Sequence, residues 1–231
     1  MKYKLTEEKI ETGSGTLTRI QALEDFGRVK AGDLGGFIYS EENLSQSGDA
    51  WVSGNAQVSG NAQVSGDARV SGNAQVSGDA WVSGNARVSG NAQVSGDAQV
   101  SGDARVSGNA RVSGNARVSG DAWVSGNARV SGNARVSGNA RVSGNARVSG
   151  NARVWFDTSI TFLSLGPLGE HQRNITITPI EVAAGCFQGS HLEFWKAVQE
   201  KYGEDGGDYG RIKSLLNLEQ EEIEENLPDS Q

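Results

Sequence analysis

The sequence predicts a mainly-β protein built around a triangular parallel β-solenoid. Three observations predict it. A six-residue unit, Ser-Gly-[Asn/Asp]-Ala-X-Val, recurs eighteen times without insertion from Ser47 to Val154; small apolar residues alternate with other types inside each unit; and each unit carries a Gly-[Asn/Asp] pair. A fixed short period means that one unit cannot bury its own apolar face and must stack on its neighbours.

In Asp49-Ala50-Trp51-Val52-Ser53-Gly54, an extended backbone points Ala50 and Val52 one way and Trp51 and Ser53 the other. Gly54-Asn55 then supplies a corner, because Gly and Asn tolerate the positive φ of a sharp turn. A helix is excluded. Glycine at every sixth position would cost about 1 kcal/mol each against alanine, and the apolar period does not fit. Three strands close a coil of eighteen residues, so the repeats make six regular coils, a prism roughly 29 Å long at about 4.8 Å per layer.

Ahead of the repeats, residues 1–46 read as a capping segment. Lys2–Glu11 and Thr16–Leu23 form a hairpin across Thr12-Gly13-Ser14-Gly15. Val29–Ile38 with Asn43–Gln46 then read as a degenerate first coil. Ile38, Leu44 and Ala50 stand six apart, which sets the inward phase, and the bulky Phe37 and Ile38 suit a plug for an Ala/Val interior. Residues 47–154 are the solenoid. Residues 155–218 read as a small α+β domain, with strands at Thr158–Leu165 and Asn174–Val182 joined across Gly166-Pro167-Leu168-Gly169. Ser190 and Glu193 form a capping-box pattern for a helix to about Tyr202, with Leu192, Trp195, Val198 and Tyr202 on one face. A second helix is expected over Tyr209–Leu218, and residues 219–231 are an acidic tail.

An aliphatic residue followed four positions later by a small one, as in Val52 to Ala56 and Val58 to Ala62, resembles the left-handed parallel β-helix of the hexapeptide-repeat superfamily. The left hand is what the resemblance implies, and it opposes the usual crossover preference. The junctions, Val29–Phe37 with Asn43-Leu44-Ser45 and Gly185–Ser190 before Glu193-Phe194, are similar to hexapeptide-repeat proteins of phages and prophages, mostly described as hypothetical or polymer-forming. That implies a phage-type origin and no agreed activity; the wider superfamily implies a homotrimer. Its best-known members are acyltransferases with a catalytic His on the prism or on a loop projecting from it. Here Ser47–Val154 contains neither a His nor an inserted loop, so acyl transfer is the least supported expectation.

Composition narrows the chemistry further. The net charge of −7 is segregated: residues 1–46 carry −2, the solenoid +4 from ten Arg and six Asp, 155–200 carry −3 and 201–231 carry −6. Eight of those ten arginines fall in 101–154. A single cysteine, Cys186, points to a reducing compartment, and neither a signal peptide nor a membrane-spanning run is expected. Cys186 reads as a small buried residue beside Phe187, not as a nucleophile paired with His191. No Cys/His spacing suits a metal, and the isolated Asp residues suit no calcium repeat, so catalytic residues, metals and cofactors are all expected to be absent.

The outward position X sorts into three rows. These are Trp51, Arg69, Arg87, Arg105, Trp123, Arg141; Gln57, Gln75, Gln93, Arg111, Arg129, Arg147; and Gln63, Trp81, Gln99, Arg117, Arg135, Arg153. Trp51 and Trp123, with Arg111, Arg129 and Arg147, are candidate partner-binding residues, and the acidic Glu219–Glu225 tail is a candidate occupant of the basic end. The negative total charge and sparse Trp argue against nucleic acid. The expected function is a non-enzymatic phage-type scaffold and multimeriser, cytoplasmic or in a virion, with recognition in its end segments. The alternative is a factor that binds and neutralises a host defence protein or a signalling nucleotide, with His171, Arg173 and His191 facing the ligand.

Overall fold

A computed structural model describes residues 1–154, 163–168, 173–177, 182–184 and 187–204. The chain is mainly β. It opens with an antiparallel hairpin, β1 (Tyr3–Thr12) and β2 (Gly15–Ala22), then β3 (Leu34–Ile38) and a 3-10 turn at Glu41–Asn43. A two-residue strand then recurs every six residues, from β4 (Trp51–Val52), β5 (Gln57–Val58) and β6 (Gln63–Val64) to β21 (Arg153–Val154). Each strand pairs in parallel with the one eighteen residues on, as in Trp51 with Arg69 and Val52 with Val70. Three sheets result, one per outward row, and the solenoid makes about seven turns.

The core is a column of alanine and valine. Ala50 and Val52 are fully buried, and so is nearly every equivalent pair as far as Val148. The corners are Gly-[Asn/Asp] turns with glycine φ between 59° and 71°. Gly102 shows why no larger residue fits: at φ +67°, a Cβ would lie 2.9 Å from the backbone nitrogen of Gly120 in the next coil.

The first coil departs from the sequence expectation. Ile38 pairs with Val58 and Leu44 bridges to Val64, each twenty residues on instead of eighteen. Both therefore occupy valine positions, whereas Ala50 occupies an alanine position, and the sixfold spacing among the three is coincidental. Two extra residues enter between Leu44 and Val52, where Gln46 accepts a hydrogen bond from the Lys2 backbone N–H at 2.9 Å. Gly36 stands at the alanine position beside Ala56, where a Cβ would meet the Ala56 carbonyl oxygen at 2.5 Å. Phe37 does not plug the interior. It faces outward opposite Gln57 and is buried beneath the Arg19 guanidinium, 4.4 Å from its ring centre. The plug consists of Tyr3, Ile20, Ala22 and Val29, which join the solenoid core with Ile38 and Leu44.

After the solenoid comes a four-stranded antiparallel sheet: β22 (Leu163–Leu168), β23 (Arg173–Ile177), β24 (Val182–Ala184) and β25 (Phe187–Gly189). Two expectations are corrected here. Gly166-Pro167-Leu168 lies within β22, with a register irregularity between Leu165 and Leu168, so the reversal falls after Leu168. The single strand expected over Asn174–Val182 is two antiparallel strands, β23 and β24, and the sequence between them contains Pro179, a residue with no N–H to give a ladder. Helix α1 (His191–Tyr202) starts at the Ser190 capping box: the Glu193 N–H donates to Ser190 Oγ at 3.2 Å, and the Ser190 N–H donates to Glu193 Oε2 at 2.8 Å. Phe194 is buried with Leu192, Trp195 and Val198, while Tyr202 is half-buried. The helix expected over Tyr209–Leu218 and the acidic tail lie outside the described residues.

Gly102→Ala should lose about 1–2 kcal/mol through the left-handed backbone alone, a fall of roughly 2–8 °C in the thermal midpoint. Differential scanning calorimetry reads it, and an unchanged midpoint would mean that the corner relaxes.

Candidate interaction surface

The corners and outward positions carry whatever chemistry the solenoid presents. The three rows lie on three separate sheets, and Arg105, Arg111, Arg117, Arg129, Arg135 and Arg147 are all exposed. Stacked guanidinium groups one layer apart repel by about 0.9 kcal/mol even in water. The ion pairs among the described residues, Arg19–Glu8 and Lys30–Asp25, lie in the N-terminal segment and leave Arg111 and Arg129 without one.

Sorting the corners by column exposes a second pattern. The column Asn55, Asn73, Asn91, Asn109, Asn127, Asn145 contains no aspartate, while all six solenoid aspartates fall in the other two columns. Along it, each side-chain amide donates to the next one's oxygen, as from Asn91 to Asn109 at 3.1 Å and from Asn109 to Asn127 at 3.2 Å. Asparagine has both a donor and an acceptor and passes the ladder on; an aspartate has only acceptors and would stop it. Beside this ladder runs the row Gln93, Arg111, Arg129, Arg147. Between them lies an open groove of about 470 Å³, lined by Asn91, Asn109, Asn127, Asn145, Gln93, Arg111 and Arg129. The groove is cationic and has no carboxylate in its lining. Column counting, applied to the corners as it was to X, would have revealed it in the sequence.

The two candidate tryptophans differ. Trp123 is 40 % exposed; its indole N–H donates to Ser107 Oγ at 3.1 Å, and the Arg141 guanidinium lies 5.9 Å from its ring centre. Trp51 is not an exposed row member. It is 6 % exposed, packed edge-on against Phe26 at 5.4 Å and Tyr3 at 6.4 Å. The N-terminal segment folds over it, so Trp51 is part of the cap. His171 lies outside the described residues. Arg173 begins β23 opposite Leu168, and His191 is the first residue of α1, so the backbone places these two in separate elements.

The sequence reading did not anticipate the polar groups of the cap. In the regular coils, the Gly and Ala carbonyls of each repeat accept backbone N–H groups from the coil before, as Gly72 does from Asn55 and Ala74 from Gln57, both at 2.9 Å. At the first coil, side chains take over. Lys2 Nζ donates to the Gly48 carbonyl at 3.2 Å and the Ala50 carbonyl at 2.9 Å. Asn43 Nδ2 donates to Gly60 at 2.9 Å and Ala62 at 2.8 Å, the same pair one face round. Tyr3 donates its hydroxyl to the Leu44 carbonyl at 2.7 Å. Burial draws the Lys2 ammonium below its ordinary pKa, against the pull of Asp49, Asp67 and Glu24. Burial, with the Glu41 carboxylate, pushes the Tyr3 hydroxyl up to about 12.

Among the described residues, no three His, Cys, Asp or Glu side chains gather as a metal site, and no helix is long and apolar enough to cross a membrane. A stacked parallel solenoid with an Ala/Val interior and a capped first coil defines a β-solenoid protein. Residues 51–190 match the bactofilin family, described as polymer-forming cytoskeletal, and the chain belongs to that family. A search of curated proteins found no match.

Tyr3 makes the cap sensitive to alkali. Its folded pKa lies above its ordinary value near 10, so its contribution is complete below about pH 10 and is lost as the pH rises towards about 12. Lys2 acts in the opposite sense, its penalty easing as the pH approaches its ordinary value of 10.5. Thermal melts from about pH 9 to about pH 12 should fall less steeply in Tyr3→Phe than in wild type. Tyr3→Phe should also lose about 1 kcal/mol at neutral pH for the missing hydrogen bond. Parallel curves would remove Tyr3 from the account.

Proposed function

We propose that the chain is a non-enzymatic scaffold in which the solenoid is a rigid spacer that associates with copies of itself, while the end segments supply recognition. The single observation that carries this reading is the unbroken eighteen-residue register, which makes one stiff body of residues 51–154, most of the segment that matches a polymer-forming family. The solenoid's interior is entirely alanine and valine, and its outward side chains change without disturbing the stack. We place it in the cytoplasm, the host cell's if its origin is the phage type that its junctions imply. Native mass spectrometry with negative-stain electron microscopy should find assemblies of two or more copies. A closed homotrimer would replace the open polymer by the assembly the wider superfamily implies. A bare monomer at all concentrations would overturn self-association, and a stoichiometric small mass would favour the nucleotide-binding alternative.

A second reading is favoured by the carboxylate-free groove. The row Arg111, Arg129, Arg147 is a docking strip for the acidic Glu219–Glu225 segment, of the same or a neighbouring copy. The support is charge complementarity: the tail from residue 219 carries six carboxylates and no Lys or Arg. Ending the chain after Leu218 would leave the repulsion between Arg111 and Arg129 uncompensated, and salt screens such repulsion. The stability of the truncated chain should therefore rise more steeply with salt than that of the full chain; equal salt dependence would dismiss the docking.

A further inference from the structure

We propose that the N-terminal segment is a built-in terminator that closes one end of the solenoid to a second copy of the chain. A parallel β-solenoid ends in strand edges whose unpaired backbone groups invite another chain to add. At the N-terminal edge of this solenoid the groups on offer include the carbonyls of the Gly, Ala and Val positions, because in the regular coils these accept N–H groups from the coil before. A second copy stacking there would have to supply those donors.

The chain supplies donors of its own on each of the three faces. On one, the N–H groups of Phe37 and Tyr39 reach Ala56 and Val58 at 2.9 and 3.0 Å, and β2 and β1 continue the same sheet beyond β3. On the second, Asn43 Nδ2 bridges Gly60 and Ala62, and the Ser45 N–H reaches Val64 at 2.9 Å. On the third, Lys2 Nζ bridges Gly48 and Ala50. Lys2 and Asn43 thus perform one operation at equivalent positions: a single side-chain nitrogen replaces two backbone N–H groups of a missing coil.

The apolar end is closed as well. Tyr3, Ile20, Ala22 and Val29 belong to the same core as the alanine and valine column, and Trp51 is shut beneath Tyr3 and Phe26. Nor does the hairpin offer a fresh edge of the same kind. The outer strand, β1, has an irregular register between Leu5 and Lys9 and carries Lys4, Glu7, Glu8, Lys9 and Glu11, the features that blunt an edge strand. The segment that seals the end stands ahead of residue 51, where the family match begins. Association of copies is thereby left to the flanks and to the opposite end.

This inference rests on the self-associating reading, and the test separates the two. Electron microscopy of the full chain with a gold label at its N-terminus should find labels only at the outer ends of assemblies. The Lys2→Met/Tyr3→Phe variant, which removes the Lys2 donor of the third face and the Tyr3 hydroxyl from the Leu44 carbonyl, should lengthen those assemblies at least twofold by adding N-terminal joints. Labels at internal joints of wild type would overturn the terminator and leave self-association standing, as would a folded variant with unchanged lengths. If that variant does not fold, the label positions in wild type decide alone. Monomers in both proteins would overturn self-association and the terminator together.

Discussion

The hydrogen bond from an N–H of one coil to a carbonyl of the next, repeated in a strand register of eighteen residues, is the constraint on which the structure depends. It holds strands two residues long that have no independent stability. It also dictates what may stand at each of the six positions. Alanine and valine fill an interior with little room for variation, glycine takes the left-handed corner, and only X and the corner Asn or Asp are free to differ. An offset of twenty occurs once, at the first coil, and there the polar side chains of the cap stand where regular backbone donors would.

Much of this was legible because the constraint is local and repeated. Alternation within six residues showed Ala and Val inside, and counting by threes placed the X residues in the rows that the sheets display. The misses at Trp51, Lys2 and Asn43 share one cause, since each depends on contacts between segments far apart in the chain. Trp51 reads like Trp123 in its own repeat, and only the fold of the first thirty residues over it makes it a core residue. Lys2 and Asn43 look like ordinary surface residues until their nitrogens are found on carbonyls that have lost a neighbour. In the C-terminal segment, Pro179 sits in a run of β-forming residues, and the weight given to that run hid its interruption. The groove was legible but unread, because the corner position was taken as a turn residue and not as a side chain with its own column.

The outward chemistry follows from how the stack treats charge. A like-charged row is penalised once per layer, weakly in water, while the backbone ladder is renewed in every layer regardless of what X is. The solenoid therefore tolerates long arginine rows at modest cost, and it tolerates paired aspartates at two of its corners. The third corner is different. Its asparagine amides form a continuous ladder that a single aspartate would break, and the adjoining row turns from glutamine to arginine at residue 111. The result is a directional surface: neutral amides near the cap and guanidinium groups away from it, along a groove with no carboxylate.

A uniform stack contains no information about where it should stop. Every interior coil offers its neighbours the same donors and the same acceptors, so the length of a single chain is a count of repeats and the length of an assembly is decided at its ends. In a family whose members polymerise, an end that supplies its own donors changes what the assembly can be. Exposed backbone groups at both ends would leave growth to concentration. Carbonyls already bonded to Lys2, Asn43 and the first coil's own backbone remove one of the two directions of growth, and do so within the chain without a partner. On this account the repeats set the span, and the cap makes that span a property of the molecule.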